Sequence, residues 1–233
     1  MDSIRSRGLV ILVAVVALLA LLAGCGGDDS GDAAHVNEDS GSTNGLPLDE
    51  REGTPPEPAG EGNVSALAEK AGCLLYPLLN DEGDEEVPPG TPTPNYGSSI
   101  PTSGPHVETP HQQADGAYLL MPKPIDFVAS LDHGRVAIQY APFLSEEGQL
   151  ELKGLYETMY GGTLLFPNEE MRYAAAAAGW RSMIGCTTWE GPATVDAIRA
   201  FAETTWGKRG SKPVDSFPVS GPTPKEPAEP DAS

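Results

Sequence analysis

The chain has 233 residues, with 14 basic and 34 acidic side chains and a formal net charge of −20. A pI near 4.3 excludes a nucleic-acid-binding role, because phosphates need a basic face. Three cysteines are too few for a disulfide-built scaffold or a four-thiolate zinc site, and the length accommodates one ordinary domain plus unstructured segments.

Arg5 and Arg7 precede an uninterrupted apolar run over residues 9–23, followed by Gly24 and Cys25. The run is shorter than the ~20 residues a membrane span needs. A charged start, a short apolar core and small residues at its end predict a signal peptide over 1–24. Leu22-Ala23-Gly24-Cys25 resembles the bacterial lipobox, in which the signal is cut before the cysteine and the thiol takes a diacylglyceryl group. The expectation is a lipoprotein acylated (palmitate-type chains) at Cys25. It is then held at the cell membrane on the extracytoplasmic face by its N-terminal lipid anchor. Stable anchoring takes more than one acyl chain, which this processing supplies. The competing reading is an uncleaved anchor helix with an incidental cysteine.

Residues 26–62 hold ten acids, one base (Arg51) and no aromatic residue. Such composition predicts a disordered acidic linker over 25–62, with His35 as a solvated spacer residue. A free chain of that length spans roughly 30–35 Å. Residues 219–233, VSGPTPKEPAEPDAS, read as a second, Pro-rich disordered tail. All aromatic residues lie between Tyr76 and Phe217, which delimits a folded domain at 63–218.

Within that domain Asn63 caps a short helix, VSALAEKAG, ended by Gly72. The acidic run at 81–86 lacks the alternate spacing of a calcium loop and reads as a solvated loop. The many prolines from Pro77 to Pro124 argue against regular helix there and for edge strands or ordered loop. Tyr118, Leu119 and Leu120 suggest a short strand. Val136, Ile138 and Tyr140 alternate with smaller or polar residues, a strand pattern. Ser145 caps a helix with Leu152, Leu155, Tyr156 and Met159 on one face, and Gly161-Gly162 stops it. Thr163 to Phe166 reads as a buried strand ended by Pro167. On propensity, residues 173–180 favour helix, with Asn168 as cap and Glu169 and Glu170 in the first turn. Arg181 to Thr187 reads as strand. Pro192 opens a last helix that shows Val195, Ile198, Ala202 and Trp206 on one face. The expected fold is α+β: a single domain, with a mixed or antiparallel sheet and two to three helices.

Two blocks carry a resemblance. Ile100-Pro101-Thr102-Ser103-Gly104-Pro105-His106 is one; Gly116-Ala117-Tyr118 follows it; the other is Ala129-Ser130-Leu131-Asp132-His133-Gly134-Arg135-Val136. The chain resembles the uncharacterised bacterial domain-of-unknown-function family 3105. The resemblance implies secretion or lipid anchoring and tips residues 173–180 toward strand. Ala129 stands where similar proteins carry the first histidine of a His-x-x-x-His pair, and Asp132 stands in place of a glutamate. Cys73 and Cys186 fall where similar proteins often have cysteines. With Cys25 acylated, these two remain, and an oxidising compartment favours a disulfide between them.

His106, His111 and His133 are the histidines of the domain. His106 and His133, with Asp132 or with Met171, form a candidate metal site for zinc or copper, since imidazole suits both and thioether favours Cu(I). The competing reading is structural: His106 completes a turn, and His133 bonds backbone as a strand begins. Ser103, Asp132 and a histidine supply the residue types of a nucleophilic triad, but no elbow or oxyanion signature positions them, and the reading leans away from an enzyme. The expected role is therefore a membrane-anchored binding module with a His-based metal site. The alternative is a structural or protein-interaction module of the cell envelope. The sequence names no ligand or protein partner and gives no oligomeric state.

Overall fold

Residues 41–159 and 161–210 are described in a computed structural model, and the structural statements below concern them. The signal peptide, Cys25, His35, the first part of the linker and the Pro-rich tail lie outside the described residues. No helix among the described residues is long and apolar enough to cross a membrane.

Eight strands and four helices form in chain order. They are α1 (Val64–Lys70), β1 (Cys73–Tyr76), β2 (Glu86–Val87), β3 (His106–Val107), β4 (Gly116–Ala117), α2 (Pro124–Asp132), β5 (Val136–Tyr140), α3 (Glu146–Thr158), β6 (Thr163–Pro167), β7 (Ala175–Gly179), β8 (Ser182–Cys186) and α4 (Pro192–Thr205). Six strands make one mixed sheet in the order β1-β8-β7-β5-β6-β4. The β1, β8, β7 and β5 neighbours pair antiparallel, whereas β5–β6 and β6–β4 pair parallel. β2 and β3 form a separate parallel pair. The fold is α+β in a single domain.

Strand alternation sends side chains to two cores. Val136, Ile138, Leu165, Ala175 and Ala177 pack with Leu67 of α1, Leu152 and Leu155 of α3, and Ile198 and Phe201 of α4. Ala137, Leu164, Phe166, Ala176 and Ala178 face the other way, onto Phe127, Val128 and Leu131 of α2. A sheet covered on both faces needs apolar residues at every strand position. That is why the alanine run becomes β7 despite its helix propensity: each alanine is fully buried between helices, and the small side chains let both layers close in. The reading from resemblance, strand, holds; the propensity reading does not.

α2 is one helix more than the sequence pattern suggested. Pro124 occupies its first turn, where a missing N–H costs nothing. Every residue from Ile125 to Asp132 is buried. A helix covered all round shows no polar face, so it carries no amphipathic period to read. The helix moves His133 from the start of a strand to the C-cap of α2. The predicted strand at Tyr118–Leu120 shifts to Gly116–Ala117, and Tyr118 makes an isolated bridge with Leu48.

Residues 41–62 are ordered, which corrects the expectation of disorder for that half of the linker. They run as a strap over the domain. Ser42 N–H donates to the Gln112 carbonyl (2.9 Å), Asp49 N–H to Ala117 (2.8 Å) and Thr54 N–H to Leu150 (2.8 Å). Gly60 N–H donates to the Asp196 carboxylate at 3.1 Å. Gly53 and Gly154 of α3 lie in backbone contact, and a Cβ on Gly154 would overlap the Thr54 carbonyl. Asp49 is buried, and Arg51 grips both its oxygens (2.8–3.2 Å). Burial pushes the Asp49 carboxyl up, but the Arg51 hydrogen bonds and charge outweigh it and hold the group below its usual value. Composition failed here because backbone pairing and glycine contact, not apolar burial, order the strap.

Cys73 and Cys186 lie opposite one another in the β1–β8 register and are joined by a disulfide across 113 residues of sequence.

Candidate functional site

Both candidate sites lie along α2, one at each end. At its C-terminal end His106, on β3, faces Asp132, the last residue of the helix. His106 Nε2 lies 3.6 Å from Asp132 Oδ2, with both side chains about 1% exposed. The loops before β2 and β3 are both pinned to the β7–β8 hairpin: Leu79 N–H donates to the Arg181 carbonyl (2.7 Å), and Arg181 N–H to the Thr102 carbonyl (2.8 Å). Trp180 of that hairpin meets the His106 ring edge-on at 5.7 Å.

The tautomer of His106 follows from its other contact. Nδ1 lies 2.9 Å from the Gly104 carbonyl, which only accepts, so Nδ1 carries hydrogen. Nε2 is therefore the nitrogen that titrates. Burial lowers the affinity of this ring for a proton, but the Asp132 carboxylate and the Gly104 carbonyl outweigh that, with a smaller contribution from Glu86. The net shift is upward from the usual histidine value.

His133 does not share that geometry: its Nε2 lies 3.0 Å from the Thr109 hydroxyl. His133 N–H donates to the Ala129 carbonyl one turn back (3.2 Å). Ala129 and His133 thus lie on successive turns at the end of one helix. Ala129 is 1% exposed and packs with Val107 and Ile125. His111 sits elsewhere, exposed on the loop after β3. Met171 is buried in the core with Trp180 and Tyr173. Among the described residues no group of three or more His, Cys, Asp or Glu side chains is arranged to hold a metal ion. The set His106, His133, His111 and Asp132 is not brought together as a metal centre.

The triad fares no better. Ser103 is buried, and its hydroxyl oxygen accepts the Glu82 N–H at 3.0 Å. Among the described residues no hydrogen bond joins Ser103 to His106, His133 or Asp132.

At the other end of α2 is a cavity of about 270 Å³. Its polar lining comprises Asn44 from the strap, His111, Gln113, Lys123 and Asp126, and Leu46, Val107 and Met121 supply apolar wall. Asp126 is 9% exposed. Its one side-chain hydrogen bond is a long one, from Asn44 Nδ2 to Oδ2 at 3.5 Å. Asn44 is held in place by its 3.1 Å bond to Gln113 Oε1, and Gln113 Nε2 in turn donates to the Thr43 carbonyl. Burial pushes the Asp126 carboxyl up from its usual value, against the opposing charges of Lys123 and His111. Sequence reading singled out His111 but not Asp126 or Lys123. An acid two residues after a proline signals a helix start, and α2 itself had not been recognised.

A profile of the family described as "Protein of unknown function (DUF3105)" matches residues 91–216. No curated protein and no solved structure matches the chain. The matched span takes in α2 with the His106–Asp132 pair at one end and the cavity carboxylate at the other. The chain belongs to the DUF3105 family.

Proposed function

We propose that the protein is a lipid-anchored module of the cell envelope, facing outward from the membrane and acting by binding. The observation that carries this reading is the Cys73–Cys186 disulfide, a bond that persists in oxidising compartments outside the cytoplasm. The Leu22–Cys25 segment supports the anchor, since it supplies small residues before a cysteine at the end of a signal-like run. In this reading the histidines serve the fold. His106 bonds Gly104, and His133 bonds Thr109.

The test is Cys25→Ala in the full chain. Metabolic labelling with a tritiated fatty acid should mark the native protein and not the variant. The variant should move from the membrane fraction to the soluble extracytoplasmic fraction. Equal labelling of both, or native protein recovered from the cytoplasm, refutes the anchor. Metal analysis of the purified native chain should find no stoichiometric zinc or copper. A bound metal lost in His106→Ala/His133→Ala would restore the metal site as the functional centre.

A further inference from the structure

We propose that the cavity at the N-terminal end of α2 binds a free amino acid as its zwitterion, with the ammonium on Asp126 and the carboxylate on Lys123. This deepens the binding reading above by naming a site and a ligand class, and it rests on that reading.

The argument begins with Asp126. A carboxylate has about four lone-pair positions to satisfy, and buried charge is costly unless it is paired and hydrogen-bonded. Asp126 is nine-tenths buried yet accepts one marginal hydrogen bond. Its remaining capacity opens onto the cavity, which it lines. Lys123 lines the same cavity and is close enough to act on the Asp126 charge. Even so, among the described residues no ion pair joins the two directly. Opposite charges that share a cavity without meeting are complementary to a molecule that carries both signs.

Size and walls narrow the class. At ~30 Å³ per water the cavity has room for about nine waters, below the usual range for large cofactors. That suits a ligand of a few heavy atoms. A bare metal ion is disfavoured, because a hard cation wants several oxygen ligands and the lining holds one carboxylate. An ammonium group brings three donors to one acceptor-rich group. Leu46, Val107 and Met121 offer apolar surface to a small aliphatic side chain. Asn44 and Gln113 are locked to each other and to the strap, so the polar wall is set before a ligand arrives.

The experiment is equilibrium dialysis of the detergent-solubilised full chain against labelled L-valine, with L-valinamide and N-acetyl-L-valine as competitors. Expected is saturable binding with Kd near about 1 mM or tighter. Both competitors, each lacking one charge, should compete at least tenfold more weakly. Asp126→Asn and Lys123→Gln should each weaken L-valine at least tenfold, a loss of one charge contact. Lys123 is exposed, so its variant tests the site even if Asp126→Asn fails to fold. No saturable binding of L-valine overturns the proposal, as does binding unchanged in Lys123→Gln. L-valinamide binding as tightly as L-valine overturns the zwitterion assignment. Cys25→Ala should bind like the native chain, so a failed anchor and a failed site give different results.

Discussion

His106 shows how one buried ring can tie stability to pH. Its folded pKa is raised above the unfolded value of 6.5, chiefly because the Asp132 carboxylate overcomes burial. A group raised in this way contributes stability that is complete below about 6.5 and is lost as pH rises through the folded value. The native melting temperature should therefore fall relative to His106→Gln between pH 6 and 9, as read by thermal melts at matched salt. Parallel curves for the two proteins would show that the pair carries no charge. Arg135 is a second buried charge. Its Nε donates to Asp115 Oδ1 at 2.7 Å, and Asp115 Oδ2 accepts the Gly162 N–H at 2.7 Å. The side chain of Arg135 is fully buried. Removing the carboxylate in Asp115→Ala takes the partner from Arg135 Nε and the acceptor from Gly162 N–H, which loosens the start of β6, at a cost of about 3–5 kcal/mol. Urea melts check this, and a change under ~1 kcal/mol would mean that the Asp115 carboxylate does not hold Arg135 in place.

At the scale of elements, α2 decides what the molecule can do. It covers one face of the sheet and carries His133 and Asp132 at one end and Asp126 at the other. Phe127 is fully buried, and its ring lies 5.1 Å from that of Phe166 on β6. Phe127→Ala should cost about 3–5 kcal/mol by loss of burial and cavity formation. Denaturant unfolding measures it, and an unchanged midpoint would deny the helix its structural part. The strap depends on a different kind of contact. Gly154→Ala places a methyl group against the Thr54 carbonyl. The strap must lift or α3 must shift, costing about 1–3 kcal/mol. Limited proteolysis between residues 50 and 60 should become faster in this variant while the remaining domain stays intact.

For the whole molecule the disulfide is a covalent long-range restraint. It ties β1, at one edge of the sheet, to β8. On the chain-entropy account, closing a loop of 113 residues is worth about 4–5 kcal/mol. Reduction, or Cys73→Ser/Cys186→Ser, should lower stability by that order. The purified native protein should resist a thiol reagent until it is unfolded and reduced. The α1–β1 unit depends most on the bond, because β1 has β8 as its only strand neighbour in the sheet.

Local pattern was enough for β5, β6, α1, α3 and α4. Each has a cap, a stop or a period that acts within a few residues, such as Asn63 accepting the Ala66 N–H or Ser145 accepting that of Gly148. The histidines and cysteines were visible as candidates for the same reason: residue type is local. The sequence by itself also determined the acidic charge and the lipobox-like segment. The rest was decided by what lies far away in the chain. The alanine run is a strand because helices cover both of its faces. α2 is a helix whose burial on every side erased its period. The strap is ordered by distant partners, from the Ala117 carbonyl, 68 residues on from Asp49, to the Asp196 carboxylate, 136 residues on from Gly60. The same distance effect brought Asn44 of the strap to Asp126 and Lys123 around one cavity. Propensity is worth tenths of a kcal/mol per residue, and burial across a sheet is worth several, so tertiary packing had the last word wherever the two disagreed.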